Sequence, residues 1–110
     1  MLIPKKHKSF KSKKHLEYVA NQNCCLDFRN ECGGGVQAHH LLKPWNGIRG
    51  MSIKSNDKNT IPLCYWHHKI LHDEIGDEYK FFRQNKLPPN FGKMVAVFLW
   101  INSPIYEEYK

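Results

Sequence analysis

Nine of the eleven histidine and cysteine residues in this chain fall between positions 24 and 72. They form three groups: Cys24-Cys25 with Cys32, the pair His39-His40, and the string Cys64-x2-His67-His68-x3-His72. Thiolates and imidazoles are the ligands of structural zinc, which takes four of them in a tetrahedron, commonly as two short-spaced pairs. Cys64-x2-His67 is one such pair. Cys32 supplies a second with Cys25 or with Cys24, and because adjacent cysteines rarely both bind one tetrahedral ion, one of the two is a spare. The set expected is Cys25, Cys32, Cys64 and His67, with Cys24 as the alternative to Cys25. Four buried thiols packing as small hydrophobes without a metal is the competing reading.

His39, His40, His68 and His72 remain once His67 is assigned to the zinc set. Three imidazoles around an ion with an open position make a catalytic site, not a structural one, and a fourth can act as the base that activates water. A second structural zinc is the alternative use of the same residues. Three-imidazole sites favour Zn²⁺, Ni²⁺ and similar ions, while Mg²⁺ prefers oxygen ligands. Ligand type alone does not fix which of Mg²⁺, Mn²⁺, Ni²⁺ or Zn²⁺ supports turnover.

These residues need rigid carriers. Val36-Gln37-Ala38 alternates like a short strand that ends at His39-His40. Gly33-Gly34-Gly35 suits a tight turn with positive φ inside a hairpin. Ile61-Pro62-Leu63 is a short apolar stretch whose proline keeps it out of a central strand. His67 to His72 is expected to be helical, and the four-residue step places His68 and His72 on one face. Leu16, Tyr18, Val19 and Ala20 predict a short helical turn, and residues 73–86 a further helix or an extension of the preceding one, closed by Leu87-Pro88-Pro89. Residues 93–102 predict a last helix, although Val95, Val97 and Ile101 also suit a strand. Residues 43–60, with Pro44, Gly47 and Gly50, read as a loop. The pattern belongs to one small α+β domain.

The chain has 110 residues and a net charge of +7. Residues 1–60 carry eleven Lys or Arg against four acids, whereas residues 61–110 carry six of each, so the excess lies in the N-terminal half. One-sided basicity suits a polyanionic partner, either nucleic acid or an anionic membrane. Residues 1–13 are expected to form a basic flexible arm, and residues 14–110 the folded domain. The longest apolar run, Met94 to Ile101, has eight residues, against about 20 for a membrane span. No secretory signal is evident at the N-terminus, so a cytoplasmic, reducing compartment is the expectation, where cysteines serve as ligands or free thiols.

The order and spacing of these motifs resemble the HNH endonucleases, in particular a zinc-stapled, phage-associated branch. The resemblance rests on Ala38-His39-His40, Gly50, Lys54, Asp57, Pro62-Leu63-Cys64, His67-His68 and Leu71-His72, with Gly76-Asp77-Glu78 and Leu99-Trp100 downstream, and covers about residues 14–103. It implies a ββα-metal (His-Me finger) core with a zinc knuckle and flanking helices. By position, His40 matches the general base, and His39, His68 and His72 match the ligands of the catalytic divalent ion, His68 counting also among the catalytic residues. Asn59 matches the asparagine that holds the hairpin loop and orients the base. The implied partner is DNA, contacted by Lys43, Arg49, Lys54 and Lys58, with no membrane and no small-molecule cofactor. The implied reaction is metal-dependent hydrolysis of DNA phosphodiester bonds, by nicking or double-strand cleavage. A non-catalytic, zinc-stabilised DNA-binding or recombination accessory module is the alternative, and oligomeric state is not legible.

Overall fold

A computed structural model describes residues 10–29, 31–47 and 55–109. Arg49 and Lys54, and residues 1–9 of the expected arm, lie outside the described residues. The described chain is a small mixed α+β domain: α1 (Lys13–Ala20), strands β1 (Val36–His40) and β2 (Thr60–Cys64), α2 (Tyr65–Lys69), α3 (Glu78–Gln84), α4 (Phe91–Ile101) and α5 (Tyr106–Tyr109). The two strands pair antiparallel, from Val36 opposite Cys64 to His40 opposite Thr60. Pro62 sits in β2 opposite Ala38, which a two-stranded sheet tolerates because each strand has a free edge.

All five residues of β2 are buried. Ile61 and Leu63 meet Leu26, Leu41, Leu71, Phe81, Phe82 and Ala96 in one core. α1 presents His15 and Val19, four residues apart, to that interior. α4 is helical throughout, burying Gly92, Ala96, Leu99 and Trp100 and leaving Met94, Phe98 and Ile101 exposed. Helical packing of one apolar face therefore outweighs the β-branched character of Val95, Val97 and Ile101.

Two expectations are corrected. The glycine triplet is not the hairpin turn. It precedes β1, and Gly33 O and Gly35 O accept the Trp66 and Tyr65 amides at 3.0 and 2.9 Å, satisfying two free N–H groups at the start of α2. Residues 73–86 are not one helix: α2 runs into a π-helical turn, Ile70–Ile75, which ends at Gly76 with φ +72°, and α3 starts afresh at Glu78 under an Asp77 cap. Residues ahead of α1 also make contacts with the helices. Phe10 stands edge-on to Trp100 and Tyr109, with centroids 5.2 and 5.1 Å away.

The N-terminal segment is fastened through Asp57. Its amide donates to Phe10 O at 3.1 Å, and its Oδ2 accepts the Ser12 amide at 2.7 Å. Its Oδ1 meets His40 Nε2 at 2.8 Å. Burial works to raise the Asp57 pKa, but the hydrogen bonds from His40 and the Ser12 amide outweigh it and hold the carboxyl below its ordinary value. A depressed carboxyl stabilises the fold above its unfolded pKa of about 3.9, and that contribution is lost as pH falls through the lower folded value. Asp57→Ala is therefore expected to cost about 1–3 kcal/mol in urea unfolding at pH 7, with the gap to wild type shrinking at pH 3. A gap of constant size from pH 7 to pH 3 would contradict this role.

Candidate functional site

Two groups of ligand-type side chains assemble on the hairpin and the helix that follows it. The first is Cys24, Cys32, Cys64 and His67, whose ligand atoms lie within 4.8 Å of one another. The sulfurs of Cys24, Cys32 and Cys64 are 3.6, 3.7 and 3.2 Å from His67 Nδ1. Tetrahedral zinc bonded to sulfur at about 2.3 Å and to nitrogen at about 2.0 Å requires S···N edges of about 3.6 Å. The donor set, three thiols and one imidazole nitrogen, fits the same ion, and this Cys₃His cluster can hold zinc.

The knuckle is built by the local backbone. Cys64 ends β2 and caps α2, its sulfur accepting the His67 amide at 3.4 Å. Gly34 allows the opposite wall to close: its φ is +78°, and a Cβ there would lie 2.6 Å from Cys64's neighbour Tyr65, at that residue's own Cβ. An alanine would be strained by both backbone and contact.

The expected ligand Cys25 is replaced by Cys24. Cys24 is buried and faces His67, whereas Cys25 is held by its amide, which donates to Pro62 O at 2.9 Å. The Cys25 thiol acts instead as a hydrogen-bond donor to Cys24. This bond, opposed by burial and helped by backbone donors, brings the Cys24 pKa down to about 4. The same bond, with burial, pushes Cys25 well up. The geometry makes Cys24, not Cys25, the sulfur that stands with Cys32, Cys64 and His67.

The second group is His39, His68 and His72, again with ligand atoms within 4.8 Å of one another. Ring centroids of His68 and His72 are 4.3 Å apart, and those of His39 lie 5.1 and 5.5 Å from them. His39 comes from β1, His68 from α2 and His72 from the π-helical turn, so the expected shared face survives the change in helical pitch. Burial, then the neighbouring His39 and His72, lowers the pKa of His68, which favours the neutral imidazole that a metal needs. These residues line a cleft of about 340 Å³ together with Gln37, Ala38, His40 and Leu42.

Successive strand residues point to opposite faces, which sends His39 and His40 to different partners. His39 Nε2 meets Glu78 Oε2 at 2.8 Å, and His40 Nε2 meets Asp57 Oδ1 at the same distance. Asn59 lies two residues beyond Asp57 on one 3₁₀ turn. Its Oδ1 accepts the Trp45 and Asn46 amides at 2.8 and 2.9 Å, and its Nδ2 donates to Asn46 O at 2.7 Å and Asn56 Oδ1 at 3.0 Å. Asn59 therefore clamps the loop after β1, and the polar partner of the His40 ring is Asp57.

The basic residues divide. Lys43 is exposed with Nζ 4.6 Å from the centre of the Tyr79 ring, and Lys93 donates to Tyr79 Oη at 2.8 Å. Lys58 is half-buried over Phe10 and Trp100, 5.1 and 4.9 Å from their centroids. Trp45 packs against the core and donates from Nε1 to Lys58 O, whereas Trp66 is 48% exposed.

A family model described as "Protein of unknown function (DUF968)" matches residues 1–90. The chain belongs to the DUF968 family. The matched segment of this DUF968 chain holds both Cys/His clusters, Asp57 and Glu78, and stops short of α4. "Uncharacterized protein YdfU" of Escherichia coli (strain K12) is 34% identical over 89 residues, covering 79% of this chain and 23% of the relative. The chain thus spans about a quarter of the length of the curated relative it matches. No solved structure matches. Among the described residues no helix is long and apolar enough to cross a membrane.

Cys24→Ser is expected to abolish retention of one zinc per chain through gel filtration, whereas Cys25→Ser should keep it, as read by elemental analysis. The reverse pattern would return Cys25 to the ligand set.

Proposed function

We propose that this domain is a metal-dependent HNH endonuclease that hydrolyses DNA phosphodiester bonds. The observation that carries the reading is the convergence of His39, His68 and His72 on one open cleft, with His40 on its wall and fastened to Asp57. In this reading β1, β2 and α2 are the ββα-metal core, the Cys₃His cluster is its structural zinc staple, and the three-histidine cluster holds a catalytic divalent ion. The donor chemistry fits such an ion, since three imidazoles leave coordination positions for water and substrate. When bound, the ion supplies Lewis acidity toward the scissile phosphate and the departing 3′ oxygen.

The protein's own groups then have separate tasks. Asp57 Oδ1 accepts the Nε2 hydrogen of His40, which leaves Nδ1 with the lone pair. Nδ1 takes a proton from the attacking water, and Asp57 stabilises the imidazolium that results. Asn59 fixes the loop through Trp45 and Asn46, so that Lys43 is presented from an anchored segment. Lysine contacts to phosphate position the strand without reading its sequence. The exposed Tyr65 borders a second groove with His68, Lys69, His72 and Asp73, which would extend the path of a nucleic-acid strand past the histidine cluster.

The test is conversion of supercoiled plasmid in Mg²⁺, Mn²⁺ or Ni²⁺, beside an EDTA control. Wild-type protein should nick or linearise the plasmid, and His40→Ala should slow this by about 10²–10⁴-fold. Cleavage that continues unchanged in His40→Ala would contradict the assignment of the base.

A further inference from the structure

Glu78 is a buried carboxylate at the first position of α3, where no spacing argument links it to the histidines. It gathers three donors. Oε2 receives His39 Nε2 at 2.8 Å and the Leu42 amide at 2.7 Å, and Oε1 receives the Lys43 amide at 3.1 Å. A carboxylate that already accepts two amides can only accept from the imidazole as well, so His39 donates from Nε2, and in the neutral ring the lone pair is on Nδ1. Metal-bound imidazoles commonly donate their other N–H to a carboxylate, which fixes the tautomer, aims the ring and strengthens the ligand.

We propose that Glu78 is the positioning residue of the His39–His68–His72 centre: it fixes His39 as an Nδ1 ligand and ties that ligand to the Leu42-Lys43 backbone. The inference rests on the reading of this cluster as a divalent-ion site, and not on the reaction that the ion would serve. Its consequence is mechanical coupling. The ligand from β1 and the loop that presents Lys43 share one carboxylate, so disorder in either is transmitted to the other. The charge is also matched, because a buried anion beside three neutral imidazoles is compensated by a bound cation.

Glu78→Gln separates this role from mere packing, since glutamine has nearly the same shape but one acceptor oxygen for three donors. Titrated calorimetrically with Ni²⁺ on the zinc-loaded full chain, Glu78→Gln should bind about 10–100-fold more weakly than wild type, with the zinc content unchanged. Long-range ¹H–¹⁵N spectra of the wild-type chain loaded with zinc only should show His39 protonated at Nε2. That spectrum needs no variant, so it decides the matter even where Glu78→Gln fails to fold. Ni²⁺ affinity unchanged by Glu78→Gln, no Ni²⁺ binding by wild type, or a His39 ring protonated at Nδ1 would each overturn the inference. A Glu78 effect on Ni²⁺ in a protein that leaves plasmid intact would remove the nuclease reading alone, and active cleavage with no Glu78 effect would remove this one alone.

Discussion

The antiparallel register of β1 on β2 determines where every ligand goes. Five residue pairs, Val36–Cys64 to His40–Thr60, put the cysteine knuckle at one end of the ladder and the Asp57–Asn59 turn at the other. The strand alternation then sends His39 toward Glu78, His68 and His72, and His40 toward Asp57. A slip of one residue would exchange the two histidines between these environments, because the side-chain period of a strand is two. Pairs this short are marginal alone, and here β2 is buried along its whole length beneath the helices.

The two Cys/His clusters share the segment from Cys64 to His72 and differ in exposure. Cys24, Cys64 and His67 are buried and Cys32 closes the set from the surface, a closed arrangement suited to holding a fold together. His39 is buried, His68 half-buried and His72 exposed, so the second cluster opens on solvent. His67 belongs wholly to the first: its Nδ1 faces three sulfurs, and its Nε2 is buried without a hydrogen-bond partner among the described residues. A small domain with a limited core gains stability from such a staple, since the free energy of binding becomes free energy of folding.

Much of this was legible before any coordinates. The grouping of Cys64 with His67 followed from ligand chemistry and short spacing, that of His39 with His68 and His72 was implied by the resemblance to the HNH endonucleases, and Val36–His40 announced itself as a strand. What escaped depended on partners far apart in sequence. Glu78 and His39 are separated by 39 positions and Asp57 and His40 by 17, and no local pattern encodes such pairs. The choice between Cys24 and Cys25 turned on which sulfur faced inward, decided by the Cys25 amide bonding to Pro62. The glycine triplet carried the right conformational signal and the wrong location: positive φ at Gly34 serves the approach to Tyr65, not a strand reversal. The helix break at Gly76 was masked by apolar residues on both sides that continue a helical pattern.

The central claim is that water, activated by His40 beside a divalent ion, attacks a DNA phosphodiester and expels the 3′ oxygen. Cleavage of a defined oligonucleotide duplex in ¹⁸O-enriched water, followed by mass spectrometry of the fragments, tests it most directly. The account predicts fragments ending in 3′-hydroxyl and 5′-phosphate, with one solvent-derived ¹⁸O in each new phosphate. Fragments ending in 3′-phosphate, or 5′-phosphates free of the label, would contradict it.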